Sequence, residues 1–404
     1  MPTRHKHAII TEIGIRIVIK LQQAGHIAYF AGGWVRDKLL HHPADDLDIA
    51  TSASIEELQQ LFAHTIPVGV QFGILIVIEE QHTFEIATFR KESIYTDGRR
   101  PLYVEQTCAE EDAFRRDFTI NGMFFDPISK TLLDFVGGEQ DLKQGIIRAI
   151  GNPLERFTED RLRMIRAVRY ATRFGFAIEQ ATKEAILAKA SSLFPSVAIE
   201  RIYQEFQKMG DQLSHAFALL YELQLLQEIF PLMRSWTKEE LMARLHAWPS
   251  FPPHTSCILK LSCLFPEHTL QDNLALCHFF KGSNQDKSAL EFLHRTKKLI
   301  DNPHTDLWSW AHFYAYFDHE RYLHITKETL APHIQRRKLL QTHIERLQQK
   351  TPLLSAQDFI KQGITPGPKM GILLQEAERL AINHLIEDKH QLLSLIKQSI
   401  LWSS

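Results

Sequence analysis

Strand-like segments occur only in the first third of the chain, and this asymmetry limits the folds open to it. Short apolar runs of strand length lie at 27–30, 47–50, 73–78, 84–89 and 132–136. After about Phe157, apolar residues recur instead at every third or fourth position, as in amphipathic helices, and prolines punctuate the pattern. We therefore expect an α+β head with a mixed sheet and helices, followed by an all-helical remainder. No fixed-period repeat supports a solenoid.

The charge balance restricts how the chain can bind a polyanion. Its 404 residues carry 46 basic and 48 acidic side chains, for a formal net charge of -2. Any contact with nucleic acid must therefore come from local basic patches. The apolar run Phe72 to Ile78 is too short to cross a bilayer, and charged residues interrupt the first apolar segment, unlike a signal peptide. We expect a cytoplasmic protein with no membrane contact.

Cysteine and histidine patterns favour no additional metal chemistry. The four cysteines, Cys108, Cys257, Cys263 and Cys277, show no C-x-x-C spacing, so we expect buried thiols. Asp318-His319 has the reverse order of a phosphohydrolase His-Asp signature, and a second hydrolytic activity is not expected.

A glycine pair follows the first strand and precedes a helix. Gly32 and Gly33 let the backbone approach a ligand closely, and the helix start offers free amides, an arrangement suited to phosphate. Arg36, one turn into the helix, is a candidate to hold a triphosphate oxygen.

Two carboxylates follow this turn. Asp46 and Asp48 are two positions apart on a short strand, so both project from one face while Leu47 packs behind them. Hard oxygen ligands of this kind suit Mg²⁺, which commonly combines one or two carboxylates with substrate phosphates. An isolated Asp-x-Asp is more often a turn or strand edge; the upstream glycine turn favours the catalytic interpretation.

A basic stripe begins near Thr158. Counted as one helix, Asp160, Arg163, Arg166 and Arg169 lie along one broad side, with apolar residues opposite. With no acid after Asp160 in this stripe, we expect an external anion, a triphosphate or an RNA backbone, to balance the arginines. A solvated amphipathic face is the alternative.

Asp160 and Arg163, one turn apart in that helix, suggest a way to choose a base. Cytosine and adenine each present an amino donor beside a ring-nitrogen acceptor, whereas uracil and guanine present a carbonyl beside an N–H. A carboxylate paired with a guanidinium would therefore accept C and A.

The segments 32–37 and 46–51 together resemble the class II branch of the polymerase-beta-like nucleotidyltransferases, which contains tRNA CCA-adding enzymes and bacterial poly(A) polymerases. The string 115–123 is similar to the family's second motif. The resemblance implies that Arg115 or Arg116 binds phosphate and that Asp117 and Asn121 contact the sugar. Segment 134–141 resembles a hinge motif.

Further segments extend the resemblance. It implies that Asp97, Arg99 and Arg100 belong to a flexible loop linked to A addition. Glu85 is a candidate third carboxylate facing the metal, and a structural charge at the strand edge is the alternative. Glu200, Arg201 and Glu205 resemble a motif that braces helices. In the tail, Gly367, Lys369 and Gly371 fall in a stretch similar to one that faces tRNA phosphate, which suits RNA recognition by shape.

From this resemblance we expect a head at 1–150, a neck at 151–210, a body at 211–350 and a tail at 351–404. The expected activity is Mg²⁺-dependent, template-independent addition of CCA to the tRNA 3′ end from CTP and ATP, with no obligate protein partner. Addition of A alone and poly(A) synthesis remain open. A noncatalytic RNA-binding relative is a remoter alternative.

Overall fold

A computed structural model describes residues 2–44, 46–68, 70–92, 104–316 and 318–403. The chain divides into two compact units, Met1–Ala243 and Arg244–Ser404. In the part of the chain described, none of the helices combines the length and apolar character needed to cross a membrane.

All the strands found among the described residues lie in the first unit. They are β1 (Ala28–Ala31), β2 (Asp48–Thr51), β3 (Thr65–Ile66), β4 (Ile74–Glu79), β5 (His82–Thr88), β6 (Arg90–Glu92), β7 (Val104–Gln106), β8 (Phe124–Asp126), β9 (Thr131–Leu133), β10 (Ile146–Ile147) and β11 (Ala177–Ile178). Seven form one sheet in the order β3-β4-β5-β2-β1-β8-β9. Within it β2 and β5 run parallel and the other neighbours antiparallel, so the sheet is mixed, as expected.

The expected strands correspond to β1, β2, β4, β5 and part of β9. Apolar side chains that face the core, among them Phe30, Ile49 and Leu75, are fully buried. Strand β8 was not expected, because its Phe-Phe-Asp sequence is too short to show a period. It forms through pairing of Phe124 and Phe125 with β1, a contact distant in sequence.

Helices account for most of the rest of the first unit. They are α1 (Pro2–Gln23), α2 (Gly33–Leu39), α3 (Ile55–Leu61), α4 (Ala109–Phe114), α5 (Gly138–Gln144), α6 (Pro153–Glu159), α7 (Leu162–Phe174), α8 (Gln180–Lys189), α9 (Leu193–Ser196), α10 (Ile199–Met209), α11 (Leu213–Glu222) and α12 (Leu225–Ile229). A further helix, α13 (Lys238–His246), contains the boundary between the units.

The helix expected to run on from Thr158 is interrupted, which corrects the sequence prediction. Asp160 leaves the helical conformation, with φ -141° and ψ 104°, and separates α6 from α7. Its carboxylate accepts a hydrogen bond from the Leu162 backbone N–H at 3.0 Å, satisfying a free amide at the start of α7. Asp160 therefore does not share a helical face with Arg163.

The second unit is helical throughout its described residues. Its helices are α14 (Cys257–Ser262), α15 (Leu270–Phe279), α16 (Asn284–Asp301), α17 (Leu307–Ala315), α18 (His319–Ile325), α19 (Leu330–Leu339), α20 (Gln341–Gln349), α21 (Ala356–Ile360), α22 (Pro368–Asn383), α23 (Lys389–Lys397) and α24 (Ile400–Ser403). Thr269, Ser283 and Ser355 form capping boxes that begin α15, α16 and α21. The expected buried thiols occur at Cys257 and Cys277, whereas Cys108 is exposed.

Candidate active site

A cleft of about 830 Å³ opens in the first unit. The β1–α2 turn, β2, β5, the segment after α4, α7 and α10 all contribute to its lining. Ten of the lining side chains are Arg or Lys and six are Asp or Glu, so the cleft is locally cationic in a chain of nearly balanced charge. This local excess suits a polyanionic ligand.

The acidic part of the cleft lies at the start of β2, where Asp48 is the first residue of the strand and Asp46 precedes it, so the strand is shorter than the sequence predicted. Asp46 and Asp48 are exposed while Leu47 between them is buried, which is the alternation expected for two carboxylates on one face. In the sheet register Asp48 lies opposite Ala31 on one side and Glu85 on the other. Desolvation, Glu85 and Asp46 raise the pKa of Asp48 to about 6, although Arg116 opposes the shift.

These carboxylates have the chemistry of a divalent-cation site. A cation would relieve the repulsion between them that contributes to the raised pKa of Asp48. Among the described residues, no three His, Cys, Asp or Glu side chains are grouped as a metal site, and the third carboxylate at Glu85 stays a prediction. The donors thus fit an ion that takes its remaining ligands from substrate or water.

The turn that faces these carboxylates requires glycine at one position. Gly32 has φ 65° and ψ -129°, and its N–H donates to the Met123 carbonyl oxygen at 3.3 Å. A Cβ atom on Gly32 would lie 3.1 Å from Arg116 Nη1 and 3.8 Å from Asp48 Oδ2. The turn therefore places backbone without a side chain between the Asp48 carboxylate and the Arg116 guanidinium. Gly33 begins α2.

Arg36 lies in the wall of the cleft and is only 3% exposed. Its Nε and Nη2 atoms contact Asp37 Oδ1 at 2.8 and 2.7 Å, and its Nη1 donates to Asn121 Oδ1. The guanidinium also lies 4.8 Å from the centre of the Phe174 ring. The structure thus places Arg36 as a bridge between α2, Asn121 and α7, with its donors directed at protein acceptors.

Asp117 and Asn121 both line the cleft, with side chains that are largely buried. Asp117 accepts hydrogen bonds from Arg166 Nε at 2.8 Å and from Asn121 Nδ2 at 3.0 Å. Burial alone would raise the pKa of Asp117, but Arg166, Asn121 and Arg163 more than offset it and lower this pKa to about 2. Asp117 is therefore a buried anion, and its contact with Arg166 joins α7 to the segment 115–123.

Arg115 and Arg116 both line the cleft, and both bind Asp112, a residue that the sequence reasoning missed. Asp112 is 1% exposed and lies on α4; it accepts from Arg115 Nε at 2.8 Å and from Arg116 Nη2 at 3.0 Å. The spacing of three and four residues along one turn was the available signal.

The arginines of α7 have acidic partners from elsewhere in the chain, which corrects the expectation that an external anion must balance them. Arg166 lies 2.6 Å from Asp117, and Arg169 lies 2.5 Å from Glu205 on α10. Arg163 is 8% exposed and lies 2.7 Å from Glu159, one turn earlier. The pairs of Arg166 with Asp117 and of Arg169 with Glu205 join segments that are distant in sequence, so the stripe on α7 could not reveal them.

Asp160 also has a protein partner. Arg201 on α10 donates to both of its carboxylate oxygens, at 3.1 and 2.7 Å. Arg163 donates to the Arg156 and Arg115 carbonyl oxygens, each at 3.2 Å. Asp160 and Arg163 therefore line the same cleft with separate sets of partners. Arg201 and Glu205 brace α10 against the α6–α7 region, as expected.

The remaining predicted residues lie away from this cleft or outside the description. Asp97, Arg99 and Arg100 fall in 93–103, outside the described residues. In the second unit, Gly367 precedes α22, and Gly371 has open space around its Cα. Lys369 Nζ donates to the Trp402 carbonyl oxygen at 3.1 Å.

Two family models match the first unit. Residues 28–148 match the Poly A polymerase head domain. Residues 175–237 match a probable RNA and SrmB-binding site of polymerase A. The first match includes the glycine turn, the carboxylates of Asp46 and Asp48, and the segment 115–121.

Relatives and solved structures agree with these matches. The CCA-adding enzyme of Anoxybacillus flavithermus is 42% identical over 241 residues, 59% of each chain. That of Ligilactobacillus salivarius is 49% identical over 194 residues, 48% of each chain. The alignments thus span about half to three fifths of these relatives. The structure of the Bacillus stearothermophilus CCA-adding enzyme in complex with CTP is similar over 95% of this chain and 96% of that one, with a TM-score of 0.76 and 28% identity.

The similarity in fold extends over nearly the whole chain, whereas the family models match only parts of the first unit. Together these findings show that the first unit contains a Poly A polymerase head domain, and that the chain is similar to CCA-adding enzymes in sequence over about half of its length and in fold over nearly all of it.

Proposed function

We propose that this protein adds CCA to the 3′ end of tRNA without a template, using CTP and ATP. The observation that carries the proposal is the placement of Asp46 and Asp48 in the lining of a cleft that also contains nine arginines and one lysine. A nucleoside triphosphate presents phosphates that suit the arginines, and it can share a metal ion with the carboxylates.

The carboxylates of Asp46 and Asp48 have the donor chemistry to hold Mg²⁺. When bound, this ion would help to activate the 3′-hydroxyl of tRNA and stabilise charge on the transferred phosphate. In the proposal, Arg115 and Arg116 bind the triphosphate, and Gly32 gives backbone access beside Asp48. Asp117, Asn121 and the bridging Arg36 keep the wall behind the sugar in place.

Nucleotide choice belongs to the junction of α6 and α7. We propose that Asp160 accepts from the amino group of cytosine or adenine while Arg163 donates to the ring nitrogen. Arg201 holds two oxygens of Asp160 from one side, and a carboxylate has further lone pairs for a base. Arg163 at present donates to Glu159 and to the Arg115 carbonyl oxygen, and these contacts hold its guanidinium in the lining of the cleft.

We also propose which residues contact the RNA and where in the cell the protein acts. Gly367, Lys369 and Gly371 at the start of α22 are proposed to face tRNA phosphate, and the loop with Asp97, Arg99 and Arg100 to support A addition. The head, neck, body and tail boundaries at 150, 210 and 350 remain proposed divisions. The cytoplasm is the proposed location, since tRNA, CTP and ATP occur there together.

The experiment is nucleotide incorporation on three labelled RNAs: tRNA lacking CCA, tRNA ending in CC, and an oligo(A) primer. Each receives CTP, ATP or both in the presence of Mg²⁺. Growth of the first RNA by CCA, with no long tail on the third, is the expected result. Addition of A alone, only to tRNA ending in CC, would instead identify an A-adding enzyme. Long tails on oligo(A) would identify a poly(A) polymerase.

Variants connect the activity to the cleft. Asp46→Asn and Asp48→Asn remove one carboxylate each and are expected to abolish incorporation while leaving the protein folded. Glu56→Gln removes the same charge from an exposed position on α3 and serves as the control. Full activity in either aspartate variant would reject the assignment, and a parent that incorporates no nucleotide would favour a noncatalytic RNA-binding relative.

A further inference from the structure

Asp112 is a buried acid that none of the proposed catalytic steps uses. It is 1% exposed, on the short helix α4 that leads into Arg115 and Arg116. A carboxylate buried this deeply is costly unless several donors satisfy it. Its contacts therefore indicate what the position contributes.

Three groups donate to the two oxygens of Asp112. Arg115 Nε and the Arg90 backbone N–H donate to Oδ1, at 2.8 and 3.2 Å. Arg116 donates to Oδ2 through Nε at 3.2 Å and Nη2 at 3.0 Å. Burial opposes ionisation, but Arg116 and Arg115 lower the pKa of Asp112 below its usual value, so the carboxylate is charged. One anion thus holds two cleft-lining guanidiniums and the first residue of β6.

The other contacts of the same residues show what this arrangement orients. Arg116 Nη1 donates to the Asn121 carbonyl oxygen at 3.4 Å, and its guanidinium lies 4.8 Å from the Phe124 ring centre. A Cβ atom on Gly32 would meet the same Nη1 atom. Arg116 is therefore held between Asp112 and the glycine turn, close to Asp48.

Arg90 extends the connection to the far side of the cleft. It begins β6, whose pairing with β7 forms a hairpin that encloses 93–103 in sequence. Its guanidinium donates to the Phe72 carbonyl oxygen beside β4, and its side chain lines the cleft. The backbone amide of Arg90 and both phosphate-side arginines thus share Asp112 as their acceptor.

We propose that Asp112 is a positioning residue for nucleoside triphosphate binding: it aligns Arg115 and Arg116 with the glycine turn and ties both to the base of the β6–β7 hairpin. This inference rests on the proposed function, because it concerns the triphosphate side of the same cleft. It assigns a role to a residue that itself touches no substrate.

The test compares Asp112→Asn with the parent and with Glu110→Gln. Glu110 is exposed in the same first turn of α4, so the control removes an equal charge from the same helix start. Asparagine keeps the shape but presents an N–H₂ group to guanidinium donors. Equilibrium dialysis with CTP and Mg²⁺ is expected to give a Kd raised about tenfold or more in Asp112→Asn, the loss typical of a hydrogen bond to a charged group. Glu110→Gln should bind CTP as the parent does.

Steady-state kinetics separate positioning from mere loss of folded protein. Partial unfolding would lower kcat through the concentration of active enzyme and leave KM unchanged, whereas misplaced arginines raise the KM for CTP and ATP with the KM for tRNA unchanged. An unchanged CTP Kd with an unchanged nucleotide KM in folded Asp112→Asn would overturn the inference.

Two further outcomes are decisive. If Asp112→Asn loses its cooperative unfolding transition, Asp112→Glu is measured instead. This variant keeps the negative charge but displaces it by one methylene. A CTP Kd equal to that of the parent would then overturn the inference. A parent that binds CTP but incorporates nothing would reject the proposed function, while the Kd comparison still decides the role of Asp112. A parent that does neither contradicts both.

Discussion

Gly32 and Gly33 are adjacent in the chain but face different constraints. Gly32 has a positive φ and approaches Arg116, whereas Gly33 begins α2 in a helical conformation, and a Cβ there would meet only Arg36, at 3.5 Å. We expect Gly32→Ala to lower the free energy of unfolding by about 1–3 kcal/mol, the usual cost of a strained backbone. Gly33→Ala should cost less, since alanine suits a helix better than glycine. Urea unfolding of both variants checks the contrast, and equal losses would contradict it.

Asp117 predicts an acid-sensitive contribution to stability. Its pKa is about 2 in the folded protein against an ordinary value of 3.8, so folding favours the ionised form. The contribution is present above about pH 4 and is lost as the pH falls from 4 towards 2; the shift corresponds to about 2 kcal/mol.

Asp117→Asn should therefore be less stable at neutral pH, because Arg166 loses its buried anion, and its stability should fall less steeply below pH 4. Urea midpoints of parent and variant between pH 7 and 2.5 measure this difference. An equal fall in both proteins would show that Asp117 is not the titrating group.

For single residues, the sequence predicts which side chains take part in a site, but it does not predict which partners they contact in the fold. The alternation at Asp46, Leu47 and Asp48 predicted two exposed carboxylates around a buried residue, because strand geometry is local. The burial of Arg36 and the anchoring role of Asp112 depend on contacts with Asn121 and Arg90, and no local pattern specifies such contacts.

Between elements, the contact of α7 with α10 depends on a buried ion pair. Arg169 and Glu205 approach to 2.5 Å, and both side chains are nearly inaccessible to solvent. Removing one partner leaves the other charged and unpaired, so Glu205→Gln should lower stability by about 3 kcal/mol. Glu200→Gln, at an exposed position on the same helix, is the matched control and should cost little.

A double-mutant cycle with Arg169→Met distinguishes a pair from two independent contributions. Chemical denaturation of the four proteins should give a double variant more stable than the sum of the single losses implies. Strict additivity would mean that the two side chains act separately.

The α6–α7 junction shows where helical periodicity misleads. Apolar spacing correctly predicted that Met164, Ile165 and Val168 face the core, and all three are fully buried. The same counting carried the helix through Asp160, because period alone does not register that an aspartate can end one helix and cap the next. The predicted direction of the Asp160 side chain around the helix axis was therefore wrong, and so was its predicted position relative to Arg163.

At the scale of the whole molecule, every residue that lines the cleft lies between Ala31 and Lys208, within the first unit. We therefore expect a fragment of residues 1–246, ending with α13, to bind CTP with the Kd of the full chain. If the second unit supplies tRNA contacts, as proposed for Gly367 and Lys369, the fragment should bind tRNA more weakly. Equilibrium dialysis for CTP and filter binding for tRNA measure the two affinities.

A fragment that is folded but binds no CTP would contradict this division of labour. Equal tRNA affinity in fragment and full chain would instead remove the proposed role of the α22 segment. Circular dichroism of the fragment establishes that it is folded before either comparison is made.

The order of strands in the sheet has a consequence for how the protein is made. β1 pairs with β8, so Phe30 meets Phe125 only after ninety-five further residues have been synthesised. Closing a loop of this length costs conformational entropy before any contact offsets it, and such pairings slow folding. During synthesis, the edge of β1 near the glycine turn therefore stays unpaired until β8 leaves the ribosome. In that interval the unpaired edge can pair with a strand of another nascent chain.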